Sequence, residues 1–348
     1  MYMKLFKSLF PAKRLEVPVG VLPRRLSLLD IGARGVQWPW DQVNRELLSV
    51  VLVEPDPIEA ERLQKELSTN EGVVLPFALW RDERTLTLNL NRSLGTSSIY
   101  LPNRQFLDQF PEAERFDVLE KLEMPAKTID GLSSSGQMPK VDFAKIDVQG
   151  AELAILEGGR NHLAAKLVGL EVEVEFAELY SGQPLFGEVV TFVREQLGLE
   201  LWDLRKSYWK YEKGRHTPCP IKGRLIFGDA LFLRPLSGLE EWIEPMSPDA
   251  AKEKVTMLVV TALAYGYVDY ATALLAASSL DRYFDVPIRQ GLQYTVNSLG
   301  SGFRPFRHGS SVLFVILDAF ARALQPTHAG WACSGRGLGS RRRGPFWF

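Results

Sequence analysis

The sequence is poor in the residues that staple or metallate a small protein. It holds two cysteines, Cys219 and Cys333, and four histidines in 348 residues. The cysteines lie far apart and neither sits in a CxxC frame, so two free thiols in a reducing compartment are expected rather than a disulfide framework. No His, Cys or acid cluster has metal-ligand spacing, and no metal is expected. Charge of one sign is missing too: 41 basic residues face 42 acidic ones, a net charge of −1. That balance argues against a nucleic-acid footprint over the whole chain, and no nucleic-acid partner is expected. An unbroken hydrophobic span is also lacking. The most apolar stretch, Val255 to Leu280, is interrupted by Gly266 and Asp269 and suits two packed helices better than a transmembrane segment. The opening MYMKLFKSLFPAKR has no apolar core followed by a small-residue cleavage site, so a surface arm and a cytoplasmic protein are expected. Nothing in the sequence speaks to oligomeric state.

What is present is ample core material, 46% apolar residues, in an order that specifies a class of fold. From about residue 26 to 235, short β-branched runs alternate with helical patterns, the signature of a parallel sheet covered by helices. The strands are LSLLDI, SVVLVE, GVVLPFAL, VDFAKIDV, KLVGLEVEVEF, LELWDL and GRLIFGDALFLR, giving an α/β fold with a doubly wound seven-stranded sheet. IEAERLQKELSTN forms a helix after the second strand, and GAELAILEGGRNHL begins another that stops near Gly158 and Gly159. Between the third and fourth strands, the TLTLNL alternation predicts a hairpin with Arg92 to Gly95 near its turn. Pro245 and Pro248 bracket a linker. Beyond it the chain reads as helical, clearest over Ser310 to Leu324, and the Gly- and Arg-rich stretch from Thr327 reads as a disordered tail.

The first strand ends in LLDIGARG, with Asp30, Gly32 and Gly35. Glycines there let backbone N–H groups approach a ligand, because glycine tolerates positive φ and has no Cβ in the way. The spacing is not GxGxxG, since Arg34 interrupts it. The second strand ends in VLVEPDP, placing Glu54 about twenty residues beyond Gly32, where a carboxylate accepts from both ribose hydroxyls of an adenosine-containing ligand. These two features suit a nicotinamide cofactor and S-adenosylmethionine equally. The fourth strand, DFAKIDVQGAELAIL, carries Lys145, Asp147 and Gln149 on one side. Such residues are costly in a strand buried on both faces unless they lie at the open carboxyl edge, where doubly wound sheets bind ligands. A structural ion pair is the alternative reading of Lys145 and Asp147.

At this point the sequence resembles the FkbM-type methyltransferases, in which a strand ending K-I/L-D-V/I-E/Q-G-x-E runs into a helix ending in glycine. DFAKIDVQGAELAILEGG matches that hallmark, and LLDIGARG, VEPDP, SLGTSSIY, KTIDGL, LEVEVEFAELYSGQPLFGEVVTFVREQLGLELWDL and GRLIFGDALFLR follow the family's order. The resemblance implies a class I, Rossmann-like methyltransferase domain over residues 25–236, preceded by an arm (1–24) and followed by a helical C-terminal extension (237–326) and the tail (327–348). It implies S-adenosylmethionine as cofactor and a hydroxyl oxygen on a small-molecule, glycan or lipid acceptor. By position, Asp30, Gly32, Arg34 and Gly35 would line the methionine end of the cofactor, and Glu54 would hold the ribose. Ala78, Leu79 and Asp82 would lie near adenine. Asp147 would face the transferred methyl or the cofactor's amino group, with Lys145 and Gln149 orienting the acceptor. Arg34, where the family has asparagine or glycine, leaves the contact at that point open.

An alcohol must lose its proton, and Asp147, Glu173 or Glu175 is placed to take it from the same edge. Glu171, Glu173 and Glu175 alternate and share one side of their strand, where Lys145 is a candidate partner for one of them. His162 and His216 are further candidates, a helix-end base or cap and a member of a substrate loop or plain connection. Trp202, Tyr208, Trp209 and Tyr211 would flank a sugar or lipid acceptor or serve in packing. The competing functions are a nicotinamide-dependent oxidoreductase, which lacks its GxGxxG loop and a Tyr-x-x-x-Lys arrangement here, and a non-catalytic binding module.

Overall fold

A computed structural model describes residues 15, 17–18, 20–32, 39–67, 72–216, 223–300, 311–323 and 330–334. Apolar, β-branched runs form the centre of the molecule: β1 (Leu26–Ile31), β2 (Leu48–Val53) and β3 (Gly72–Leu75), then β7 (Phe143–Ile146) and β8 (Gly169–Glu175). Between them lie β4 (Ala78–Leu79), β5 (Arg84–Asn91) and β6 (Val118–Lys127). After them come β9 (Glu200–Trp209), β10 (Arg224–Leu233) and β11 (Ala332–Ser334). The main sheet runs β3-β2-β1-β7-β8-β10-β9-β11. The five strands from β3 to β8 are parallel, while β10, β9 and β11 alternate antiparallel. All six residues of β1 are buried, as a strand covered on both faces requires.

The order reverses between β1 and β7: the chain winds outward from β1 through β2 and β3, then crosses back to lay β7 on β1's other side. A crevice opens at such a switch point, outside the carboxyl ends of the two strands. The first helix, α1 (Pro57–Glu66), starts there with Asp56 as its cap, accepting from the Ile58 and Glu59 N–H groups. The hallmark helix is broken in two at Gly159, into α2 (Glu152–Gly158) and α3 (Arg160–Lys166).

Several expectations are corrected. The sheet has eight strands among the described residues rather than seven, because Ala332–Ser334 of the tail pairs with Ser207–Trp209. The tail was expected to lack structure, since its composition has no apolar period, but an edge strand needs backbone pairing only. Trp331 adds a hydrogen bond from its indole to Glu112 Oε1 (2.9 Å) and contacts the Trp209 ring and the Arg115 guanidinium. The run GVVLPFAL divides. Pro76 has no N–H to continue a ladder, so β3 ends before it and Ala78–Leu79 joins a second sheet, β4-β6-β5. In that sheet the TLTLNL strand pairs with Val118–Lys127 across residues 92–117, and the expected tight return survives as a single bridge between Asn89 and Ser98.

The helices after residue 247 are continuous with the main core. The helix α4 (Pro248–Tyr265), capped by Ser247 and closed by left-handed Gly266, is buried nearly all round, as a helix apolar on every side must be. It packs with α5 (Val268–Ala276) and α6 (Val286–Gly300) in one cluster with Leu26, Leu28, Leu48 and Phe143 of the sheet. Leu15, Val17 and Val21 of the N-terminal segment join it. Buried Asp142, just before β7, binds Arg24 through both oxygens (2.6 and 2.8 Å) and Lys254 of α4 (2.6 Å). The last described helix is α7 (Ser311–Ala323).

Candidate active site

The carboxyl ends of β1 and β7 touch. Gly32 has φ of 81°, and a Cβ there would stand 2.0 Å from the Asp147 carbonyl oxygen, so only glycine passes. Two residues before that turn, Asp30 is buried, and its Oδ1 has no hydrogen-bond partner among the described residues. Burial pushes its carboxyl up to about 6, with Lys145 pulling it down and Asp147 adding to the rise. A buried, unpartnered acid oxygen is a position prepared for a cationic or hydrogen-bonding group. Glu54 ends β2 half-buried, and its Oε1 accepts from the Asp56 N–H at 2.9 Å, which fixes the carboxylate at the crevice rim. Burial also raises the Glu54 carboxyl.

A cavity of about 600 Å³ occupies the crevice. Gly32, Glu54, Asp147 and Gln149 line one side of it, and Ala78, Leu79 and Trp80 line another. Leu86, Leu88 and Leu90 from β5, with Leu94, Ile99 and Met124, add an apolar part to the lining, which also includes Asp56, Glu59 and Ser97. The alternation that built β5 as a strand thus sends every second residue of this stretch, each a leucine, into the cavity.

The hallmark turn is held under tension. Gln149 adopts φ of 60°, unusual for a residue with a Cβ, and Gly150 follows at 102°. Four contacts hold it there. Its Nε2 donates to Glu173 Oε2 (2.6 Å) and Asp147 Oδ1 (3.0 Å), and its carbonyl accepts from Ser98 Oγ (2.6 Å). The Tyr180 hydroxyl, which donates to the Thr96 carbonyl at 2.7 Å, lies 3.3 Å from Gln149 Oε1. Lys145 Nζ stands 3.5 Å from Asp147 Oδ2. Burial would lower that ammonium, but the surrounding acids, Asp147 first and Asp30 next, raise it overall, so Lys145 stays charged.

Beneath this turn three acids are gathered. The carboxyl oxygens of Glu152, Glu173 and Glu175 lie within 4.8 Å of one another. Burial raises all three, Glu152 to about 7, and their mutual repulsion with Asp147 adds to the effect. Burial and proximity thus favour the neutral form of each. Their scattered spacing concealed this from the sequence, in which no metal site was expected.

The structure sorts the expected site residues. Gly32, Glu54, Ala78, Leu79, Asp147 and Gln149 line the cavity, with Asp30 beside Lys145 across the β1–β7 pairing. Arg34 and Gly35 lie outside the described residues. Glu173 reaches the cavity through Gln149 rather than lining it, and Glu175 is buried with Glu152. Glu171 does not pair as its neighbours do; it accepts from the Tyr265 hydroxyl at 2.6 Å. Asp82 pairs with Arg84 at the surface and is absent from the cavity wall. His216 lies on an exposed turn, its Nε2 accepting from Arg215 Nε at 2.9 Å. His162 contacts Ser133 Oγ (2.8 Å), and Trp202 packs on Tyr267 and Tyr270, whereas Trp209 and Tyr211 pack on Phe110. Trp80, the leucine wall and Tyr180 were missed, although the TLTLNL alternation was a usable signal for the leucines.

Residues 30–198 match the family model described as the methyltransferase FkbM domain. No curated protein sequence is similar to the chain. Among solved structures, it is similar to the methyltransferase FkbM from Methylobacillus flagellatus KT, at 14% identity and a TM-score of 0.33 over 59% of this chain and 43% of that one. The chain therefore spans less than half the length of that protein. It is also similar to a TehB-like SAM-dependent methyltransferase from Corynebacterium glutamicum ATCC 13032 Kitasato (14% identity, TM-score 0.27, 67% and 96% covered). A third is the 23S rRNA methyltransferase ErmE (12% identity, TM-score 0.28, 79% and 93% covered). Residues 30–198, which carry the parallel strands β2, β3, β7 and β8 and the glycine turn beside Asp147, are thus similar to the methyltransferase FkbM domain.

Proposed function

We propose that the chain is an S-adenosylmethionine-dependent O-methyltransferase whose acceptor presents a hydroxyl beside an apolar portion. The observation that carries this reading is the cavity at the β1–β7 switch point, lined by Gly32, Glu54 and Asp147, with buried Asp30 two residues before Gly32. The residues fit the cofactor. Glu54 is the carboxylate for the ribose hydroxyls, the unpartnered oxygen of Asp30 suits the methionine ammonium, and Ala78, Leu79 and Trp80 offer an apolar bed for the base. When bound, that cofactor supplies an electrophilic methyl group on a sulfonium.

The protein's own residues then have two tasks, position and proton removal. Positioning falls to the Gln149 turn, whose four contacts leave it little freedom, so the acceptor meets a preorganised edge. Asp147 is the carboxylate at the cavity wall, held by Lys145 and Gln149 where a general base is required. Glu173, whose carboxyl burial and the surrounding acids raise well above its ordinary value, supports Gln149 through its Oε2. The apolar wall of Leu86, Leu88, Leu90 and Met124 would take the non-reacting part of the acceptor, which favours a lipid-like or otherwise apolar molecule bearing an alcohol.

Isothermal titration with S-adenosylhomocysteine, S-adenosylmethionine and NAD tests the cofactor half. Binding of the two sulfur cofactors without NAD is the expected result, and binding of NAD alone overturns it. Incubation with alcohols of increasing apolar length, read by mass spectrometry for one added methyl, tests the acceptor half.

A further inference from the structure

Part of the cavity wall comes from the insertion between β5 and β6, where Leu94, Gly95 and Ser97 line it. Between them, the Thr96 carbonyl accepts from the Tyr180 hydroxyl, which lies 3.3 Å from Gln149 Oε1 in the hallmark turn. This wall rests on the backbone of Arg115. The Arg115 carbonyl accepts from the Ser93 N–H at 3.0 Å, and Thr96 Oγ1 lies 3.1 Å from the same oxygen. Next to it, the Asp117 carbonyl accepts from the Arg92 N–H at 2.8 Å. A shift of Arg115 is therefore passed to residues 92–97.

The Arg115 side chain is clasped by rings. Its guanidinium carbon lies 4.6 Å from the ring centroid of Trp209, 4.6 Å from that of Trp331 and 4.9 Å from that of Phe116. Its Nε is buried without a hydrogen-bond partner among the described residues. The quadrupole of each ring attracts the cation, and a planar guanidinium can lie against several faces at once. Phe116 belongs to the insertion and Trp209 to β9, whereas Trp331 arrives from far beyond the matched residues 30–198. Two backbone ties hold it in place. The strand β11, which follows it, pairs with Ser207–Trp209, and the Lys210 N–H donates to the Trp331 carbonyl at 2.8 Å. The Trp331 indole donates in turn to Glu112 Oε1 at 2.9 Å, at a residue whose φ of 57° is costly for a side chain with a Cβ. One tryptophan thus grips the insertion at Glu112 and at Arg115.

We infer that Trp331, carried by β11, is a positioning residue for the cavity: it clasps Glu112 and Arg115 and, through the Arg115 carbonyl, sets the wall at residues 94–97 and the Tyr180–Gln149 contact. The C-terminal strand is then a strap on the site, although β11 does not itself line the cavity. The tie stands whatever the cavity binds; its effect on cofactor affinity rests on the methyl-transfer reading.

The test is hydrogen–deuterium exchange of the full chain, read by mass spectrometry over residues 92–99, 207–209 and 331–334, with S-adenosylhomocysteine titrated in parallel. In W331A the amides of 92–99 are expected to exchange about fivefold faster and the affinity to fall about two- to fivefold, the loss of one cation–ring contact and one hydrogen bond. W331F keeps a ring for the guanidinium and loses only the bond to Glu112, so a smaller change is expected. R115K keeps the charge without the planar head and leaves β11 paired, and it is expected to speed exchange at 92–99 as W331A does. Because the two side chains act as one contact, W331A/R115K is expected to change little beyond the larger single effect. Faster exchange confined to 207–209 and 331–334 overturns the proposal, as do effects of the two substitutions that add in full. Faster exchange at 92–99 with unchanged affinity overturns the positioning role. Absence of S-adenosylhomocysteine binding in the parent protein counts against the methyl-transfer reading, and the exchange at 92–99 then decides the strap by itself.

Discussion

Gly32 stands against the backbone of Asp147 so closely that the ends of β1 and β7 share one surface: a Cβ on Gly32 would lie 2.0 Å from the Asp147 carbonyl oxygen. The loop expected to hold the methionine end of the cofactor and the strand end expected to carry the base are therefore a single unit. Gly32→Ala forces the two apart and strains a positive φ, at about 1–3 kcal/mol for the conformation alone. The expected outcome is a lowered melting temperature together with weaker S-adenosylhomocysteine binding. A variant that keeps both values would separate the loop from the site.

Glu54 is held at the crevice rim by the Asp56 N–H. Hydrogen bonds to a charged group contribute about 1.5–3 kcal/mol, so Glu54→Ala is expected to weaken S-adenosylhomocysteine binding by about ten- to a hundredfold. Titration calorimetry measures it, and unchanged affinity would remove Glu54 from the ribose role.

Asp147 lines the cavity and is only part-buried, so its removal spares the core. Asp147→Asn keeps the shape and removes the base, and turnover is expected to fall by about 10²- to 10⁴-fold, with the melting temperature close to that of the parent. Turnover at the parent level would assign proton removal elsewhere.

Asp30, with its carboxyl near 6, must ionise to hold an ammonium group. Cofactor affinity is expected to rise as pH is raised through about 6 and then to level off, since the ionised form is the competent one. In Asp30→Asn the rise should vanish. A pH series of titrations in both proteins decides it, and an identical slope in the variant would count against the assignment.

Asp142 belongs to stability rather than chemistry. Burial would raise its carboxyl, but Arg24 and Lys254 together hold it below its ordinary value. Its folded value is depressed, so its contribution is complete above the ordinary carboxylate pKa of about 3.9 and is lost as pH falls through the lower folded value. Asp142→Asn leaves Lys254 buried without its charge partner and is expected to cost about 3–5 kcal/mol at neutral pH. Urea midpoints at neutral and strongly acid pH should differ less in the variant than in the parent protein.

Much of this was legible in the order of residues. The parallel strands announced themselves because a strand covered on both faces is apolar throughout, and Lys145 and Asp147 stood out for breaking that rule at an edge. Gly32 and Glu54 were placed by distance along the chain, since a βαβ unit has a nearly constant length. Asp82 and His216 lie at the surface, each beside a neighbouring arginine, because spacing along the chain says nothing of where a surface side chain turns.

Local order along the chain therefore established the strands, the helices, the switch-point crevice and the acids at its rim, because each depends on periodicity or on short spacing. Long-range assembly settled the rest. Glu152, Glu173 and Glu175 meet although a helix and a separate strand supply them. The leucines of β5 become a cavity wall only when the strand pairs with residues some thirty positions away. Ala332–Ser334 becomes a strand only because β9 offers an open edge. Propensity acts within a few residues, whereas pairing and burial depend on which surfaces the folded chain brings together.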